Sequence, residues 1–155
     1  MEKASILSAI MEELEREVER CRSANKSAAS GATDSESRAE SKWDTQGLES
    51  SYLARGYARQ FEQLLAQAET LRGFKPDSFK DRGIGLGALV KCDLDGFTSW
   101  FFLLPSCGGM DVDIEGTEVT IISQGSPIGQ ALSGKRKGDR YKLPDGPGAT
   151  ILSVE

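Results

Sequence analysis

The sequence predicts an α+β protein in which an antiparallel pair of long helices precedes a β-rich domain with one short helix. Residues 1–72 contain no proline and carry apolar side chains at helical spacing, whereas short apolar runs and glycine turns follow Pro76. Within that second region, Ser126-Pro127 is a typical helix start. The predicted boundaries are a helical hairpin at 1–73, a linker at 74–83 and the β-rich domain at 84–155.

The composition argues against several classes of function. Charged residues make up 28% of the 155 residues and hydrophobic ones 38%, which is typical of a soluble protein. The net charge of −5 disfavours broad nucleic-acid binding, which needs a clustered positive face. Histidine is absent, which removes the usual general base and the commonest nitrogen ligand of transition metals. We therefore expect a protein partner and no stably bound metal.

Cysteine usage and hydropathy suggest a compartment. Cys21, Cys92 and Cys107 are odd in number and lack C-x-x-C spacing, so we expect reduced, partly buried thiols. The N-terminus lacks the pattern of a signal sequence, and no apolar run approaches the roughly 20 residues of a membrane span. The expectation is a cytoplasmic protein without membrane contact.

Two heptad seams predict the helical hairpin. The first seam comprises Ala4, Leu7, Met11, Leu14, Val18, Cys21, Asn25, Ala28 and Ala32, and the second comprises Trp43, Gly47, Ser50, Ala54, Tyr57, Phe61, Leu64, Ala68 and Leu71. Antiparallel pairing joins residues whose numbers sum to 75, as in Leu14 with Phe61. The turn is then expected near residues 37 and 38, at the end of a rod about 50 Å long.

An earlier turn, at residues 28–33, is the alternative. Ser30-Gly31 weakens a helix, and Thr33-x-x-Glu36 matches a capping box. The first helix would then be the shorter of the two.

Short apolar runs separated by turn signals predict six strands in the second region. The predicted strands are Ala88–Leu94, Phe97–Leu104, Met110–Ile114, Thr117–Ser123, Asp139–Leu143 and Ala149–Val154. Asp95-Gly96 is a strong hairpin signal and Glu115-Gly116 a weaker one. Between the fourth and fifth strands, Ser126 is expected to cap a short helix, with Gly134 as its left-handed end. The sheet is expected to be mainly antiparallel.

Residues 126–139 carry a recognisable pattern, S-P-I-G-x-A-L-x-G-K-x-x-G-D. This pattern, together with the helical hairpin, resembles the GreA/GreB transcription elongation factors over nearly the whole chain. The resemblance implies an FKBP-like C-terminal domain without isomerase activity, which docks at the rim of the secondary channel of bacterial RNA polymerase. It implies docking through Ser126 and Pro127, and through Gly125, where the family commonly has an acidic residue. It also implies a monomer that meets nascent RNA only indirectly, within the polymerase.

The resemblance further implies that the hairpin tip reaches the active centre of the polymerase and stimulates cleavage of a backtracked transcript. There, carboxylates at the tip would help hold a second Mg²⁺, which binds hard oxygen ligands and supports phosphodiester hydrolysis. The factor itself would have no catalytic residue and no cofactor of its own, with Mg²⁺ bound only transiently.

The tip departs from the family pattern, which is approximately D-L-x-E-N-A-E-Y. With Trp43 in the place of the tyrosine, the aspartate position falls on Glu36, and the glutamate position falls on Ala39, beside Glu40. The candidate metal-assisting residues are Glu36, Glu40, Asp34 and Asp44. The alternative interpretation of the same carboxylates is a solvated tip whose charges favour a helix start.

Two other functions remain open at this point. A member of the family that binds the channel without supporting cleavage would regulate or inhibit the polymerase. A peptidyl-prolyl isomerase is suggested only by the FKBP-like fold, and a shared fold is a weak basis for an activity.

Overall fold

The computed structural model describes residues 1–33, 46–94, 96–142 and 148–155. These residues form two compact units, one of Met11–Glu69 and the other of Met1–Ile10 together with Thr70–Glu155. We refer to them as the helical unit and the β-containing unit. The domain boundaries expected at residues 73 and 84 stay predictions.

Two long helices account for the helical unit. Helix α1 spans Lys3–Thr33 and helix α2 spans Gln46–Arg72. The start of α1 and the end of α2 both belong to the β-containing unit. Helix α1 continues through residues 28–33, so the alternative turn there is wrong. The preferred turn at residues 37 and 38 lies outside the described residues.

Burial along α1 follows the predicted seam in its middle but not at its start. Leu14 is fully buried and Cys21 is nearly so, as the heptad spacing predicts. Ala4 is exposed, whereas Ile6 and Ile10, which the seam omits, are fully buried. The heptad fails here because the first ten residues belong to the β-containing unit, where a different helix face is buried. The pairs that sum to 75 stay a prediction.

All six predicted strands are present, and no bound differs from expectation by more than one residue. The strands are β1 Leu89–Leu94, β2 Phe97–Leu103, β3 Asp111–Ile114, β4 Thr117–Ile122, β5 Arg140–Lys142 and β6 Gly148–Val154. They form one sheet in the order β3-β4-β2-β1-β6-β5. All neighbouring pairs are antiparallel except β2 with β4. The expected mainly antiparallel sheet, and with it the α+β class, is confirmed.

One face of the sheet is covered by the short helix α3, Pro127–Leu132. Leu132 is fully buried on this face, where it packs with Val90, Cys92 and Phe101 among other apolar residues. On the opposite side of the strands, Phe102 is fully buried. A helix held by such burial does not need the length that an isolated helix needs.

The described cysteines agree with the sequence analysis. Cys21, Cys92 and Cys107 are free and buried. Within the described ranges, no helix is long and apolar enough to cross a membrane.

Candidate functional site

Ser126 caps helix α3 through two hydrogen bonds of one hydroxyl. Its Oγ accepts from the backbone N–H of Gly129 at 3.0 Å and donates to the carbonyl oxygen of Ser123 at 2.8 Å. The backbone of Ser126 is extended, with φ −70° and ψ 154°, and Pro127 occupies the first helical position. The predicted cap is therefore confirmed, and it also fixes the helix start to the end of β4.

Gly129 sets how closely α3 can approach the chain that precedes it. A Cβ at this position would lie 2.0 Å from the carbonyl oxygen of Ser123, which is far inside van der Waals contact. The sequence analysis did not single out this glycine. The available signal was a glycine inside a helical segment, which lowers helix propensity and therefore suggests a packing reason.

The end of α3 is tied to the segment before β1. Gly134 has φ +75°, so the predicted left-handed residue is confirmed. Its N–H donates to the carbonyl oxygen of Ile84, and the N–H of Ile84 donates to that of Lys135, each at 2.8 Å. These two bonds hold the turn after α3 against a distant part of the chain.

The last residues of the motif form a second tight turn. The Asp139 carboxylate accepts from the N–H of Arg136 at 2.8 Å, and Gly138 has φ +89°. The N–H of Gly138 donates to the carbonyl oxygen of Ile151 at 2.8 Å, which ties the turn to β6. Most motif residues thus have a clear structural role.

The part of the motif that is exposed and could contact a partner lies at the start of α3. Gly125 and Pro127 are exposed, and Ser126 is half-buried. The Gln130 side chain donates from Nε2 to the carbonyl oxygen of Gly125 at 2.9 Å, so this exposed backbone is ordered by α3 itself. The structure therefore presents a rigid surface of one proline ring and adjacent backbone, without a charged side chain at residues 125–127.

The core beneath α3 contains two ionisable groups that stay neutral. Burial raises the pKa of the Cys92 thiol to about 11. The pKa of Tyr141 is also raised, first by burial and then by the nearby Cys92. Because the reactive form of a cysteine is the thiolate, Cys92 is a structural thiol at neutral pH.

The tip candidates cannot be placed by this structure. Asp34, Glu36, Glu40 and Asp44 lie outside the described residues, and their proposed role stays a prediction. Among the residues that are described, no group of histidine, cysteine, aspartate or glutamate could hold a metal ion.

No protein-family model and no curated protein matches the chain. Among solved structures, it is similar to GreA factor homolog 1 (Gfh1) of Thermus thermophilus, with 21% identity, 94% of each chain covered and a TM-score of 0.38. Gfh1 of Thermus aquaticus is 22% identical, with 94% of this chain and 90% of that chain covered and a TM-score of 0.40.

The chain is also similar to a prokaryotic transcription elongation factor GreA/GreB of Nitrosomonas europaea. The two are 22% identical over 54% of this chain and 64% of that chain, with a TM-score of 0.32. Identities and TM-scores this low do not assign the chain to a family. What the coordinates define is an α+β protein with two long helices, a mixed six-stranded sheet and a short helix anchored to that sheet.

Proposed function

We propose that this protein is a transcription elongation factor of the GreA/GreB type, which binds bacterial RNA polymerase at its secondary channel. The observation that supports this proposal is the conformation of the S-P-I-G segment. It forms a capped helix anchored to the sheet and leaves Gly125 and Pro127 exposed. The same chain contains two long helices, α1 and α2, which as a hairpin would be suited to entering a channel.

In this proposal the β-containing unit supplies the binding energy, and the protein has no catalytic activity of its own. Pro127 is a rigid apolar ring that loses little conformational entropy when it is buried by a partner. Substituting Ser126 alone would be a poor test, because its hydroxyl makes the two capping bonds. A change at Pro127 is the cleaner probe.

The docking test compares two variants that each add one negative charge. Pro127→Glu places the charge on the proposed docking surface at the start of α3. Thr98→Glu places it on an exposed position near the start of β2, and the parallel pairing of β2 with β4 puts this at the opposite end of the sheet from Ser123. In a fluorescence titration with core polymerase, Pro127→Glu should weaken binding by about tenfold or more, while Thr98→Glu binds like the unsubstituted protein.

Circular dichroism must show that both variants are folded. Equal affinities of the two variants would contradict the proposed docking surface. A lack of binding by the unsubstituted protein would contradict the proposed function itself.

We further propose that the protein acts on paused or backtracked complexes, where carboxylates near the ends of the helices stimulate cleavage. Glu36→Ala or Glu40→Ala should then abolish stimulated cleavage by stalled complexes and leave polymerase affinity unchanged. Asp34→Ala and Asp44→Ala test the remaining candidates in the same assay. An unsubstituted protein that binds the polymerase but does not accelerate cleavage over a range of Mg²⁺ concentrations would instead be a non-cleaving regulator.

A further inference from the structure

Charge is separated across the sheet of the β-containing unit. Exposed carboxylates are concentrated on edge strand β3 and the start of β4, at Asp111, Asp113, Glu115 and Glu118. Cations are concentrated on and just before edge strand β5, at Lys135, Arg136, Lys137, Arg140 and Lys142. Strands β3 and β5 are the two outer strands of the sheet. Although the net charge of the chain is −5, the β5 edge of the sheet is therefore its positive side.

A groove of about 630 Å³ lies on this positive side. Lys80 and Arg82, from the segment before β1, line it together with Arg136 and Lys137 from the turn after α3. Among the described residues that line the groove, Asp81 is the one with a carboxylate. Arg82 Nη1 lies 3.9 Å from Asp77 Oδ2, and both of these side chains are largely exposed, so the pair is weak. In the parts of the chain that the structure describes, no ion pair engages the other three cations.

The cations project from backbone that is already ordered. The bonds between Ile84 and residues 134 and 135 join the two segments that line the groove. The Arg136 N–H is held by the Asp139 carboxylate, and the Arg82 guanidinium lies 5.2 Å from the centre of the Phe79 ring. Little backbone entropy would therefore be lost when an anionic ligand binds.

The positive surface continues beyond this groove. Lys135, Arg140 and Lys142 line a second groove of about 400 Å³, which has no carboxylate among its lining residues within the described ranges. Several cations in two neighbouring grooves suit an extended polyanion better than a single small anion. Phe79 is only 5% exposed, so the first groove offers no aromatic surface on which a base could stack.

We propose that this surface binds the phosphodiester backbone of nucleic acid, independently of base sequence. Lysine and arginine recognise phosphate by charge and hydrogen bonding, and the release of counterions makes such binding strongly dependent on salt. The negative charge of the whole chain does not oppose this, because 17 of its 24 acidic residues belong to residues 1–69 or to β3, β4 and the turn between them. The activity goes beyond the proposed polymerase docking, which uses the opposite end of α3.

The test measures fluorescence anisotropy of labelled single-stranded RNA, single-stranded DNA and duplex DNA with the full chain, without polymerase. If four cations each neutralise one phosphate of a single strand, the logarithm of affinity should fall with the logarithm of salt concentration with a slope of about −3. Arg136→Glu with Lys137→Glu should reduce affinity at least about tenfold and reduce the slope to about half. The three nucleic acids distinguish which polymer is preferred.

The chain offers a matched control. Arg22→Glu with Lys26→Glu makes the same change of charge at two exposed residues of α1 in the helical unit, and should leave affinity within about twofold. Should Arg136→Glu with Lys137→Glu prevent folding, Arg136→Gln with Lys137→Gln removes the charges more mildly and should still reduce the slope.

Three results would overturn the proposal. The first is that none of the three nucleic acids binds, and the second is that the control pair loses as much affinity as the pair in the groove. The third is that polyglutamate binds in the same assay and nucleic acid does not, which would assign the groove to an acidic protein partner. Since polymerase is absent throughout, none of these results bears on the docking function.

Discussion

Gly129 and Ser126 show how a sequence motif can be structural and still define a binding surface. Ser126 forms the cap, and Gly129 lets α3 pass within contact distance of the Ser123 carbonyl. Neither residue needs to touch a partner for the motif to matter. What they do is hold Pro127 in one exposed position at the first turn of α3.

At Gly129, an added methyl group should be costly. Gly129→Ala would place a Cβ 2.0 Å from backbone, so α3 must shift, and the cost in unfolding free energy should be about 1–3 kcal/mol. The matched change Gly125→Ala meets no atom within 4 Å and should be neutral or stabilising by about 0.4–1 kcal/mol. Urea denaturation followed by circular dichroism compares the two. Equal unfolding midpoints would show that the motif glycine has no packing role.

The elements differ in how they are stabilised. Helix α3 has six residues and depends on its cap and on burial of Leu132, whereas α1 and α2 have 31 and 27 residues. Even so, few side chains of the long helices are fully buried. Leu14 is one of them, while Phe61 is only half-buried. The helical unit therefore depends on a small number of apolar side chains.

Leu14→Ala should destabilise the helical unit. The side chain is fully buried, so its truncation leaves a cavity and should cost about 2–5 kcal/mol. Leu53→Ala is the matched control on α2, where Leu53 is 55% exposed, and it should change stability by no more than about 0.5 kcal/mol. Thermal unfolding followed by circular dichroism at 222 nm, which reports helix content, would show the difference as a lower midpoint for Leu14→Ala. A similar loss in both variants would mean that Leu14 does not support the packing of the helices.

At the scale of the whole molecule, the β-containing unit is built from two separate stretches of sequence. Its first ten residues contribute the fully buried Ile6 and Ile10. Lys3 adds a polar connection, because its Nζ donates to the carbonyl oxygens of Asp77 at 2.6 Å and Gly87 at 2.8 Å. Residues 3–10 thus belong both to helix α1 and to this unit.

Ile6→Ala should therefore destabilise the sheet as well as the helix that contains it. Loss of a fully buried isoleucine should cost about 2–5 kcal/mol, whereas Leu86→Ala, at a residue 37% exposed in the same unit, should cost much less. Trp100 on β2 reports unfolding of the sheet by fluorescence once Trp43 is replaced by phenylalanine. An unchanged Trp100 transition in Ile6→Ala would show that the first residues are not part of this unit.

The strands and α3 were predicted closely because their signals are local. Gly96 and Gly116 have positive φ, as the two hairpin turns require. Each turn reverses the chain within a few residues. In the same way, both ends of α3 are marked by residues at or next to them, which are Ser126, Pro127 and Gly134. Such signals depend on backbone geometry over a few residues, which the sequence alone determines.

Tertiary structure decided what depends on distant residues. The parallel pairing of β2 with β4 arises because β3 becomes an edge strand and β4 returns beside β2. The burial of Ile6 in place of Ala4, the close approach at Gly129 and the gathering of Lys80 with Arg136 likewise need parts of the chain that are far apart in sequence. Periodicity and turn propensity describe neighbours along the chain, whereas close packing and long-range charge depend on which segments the fold brings together.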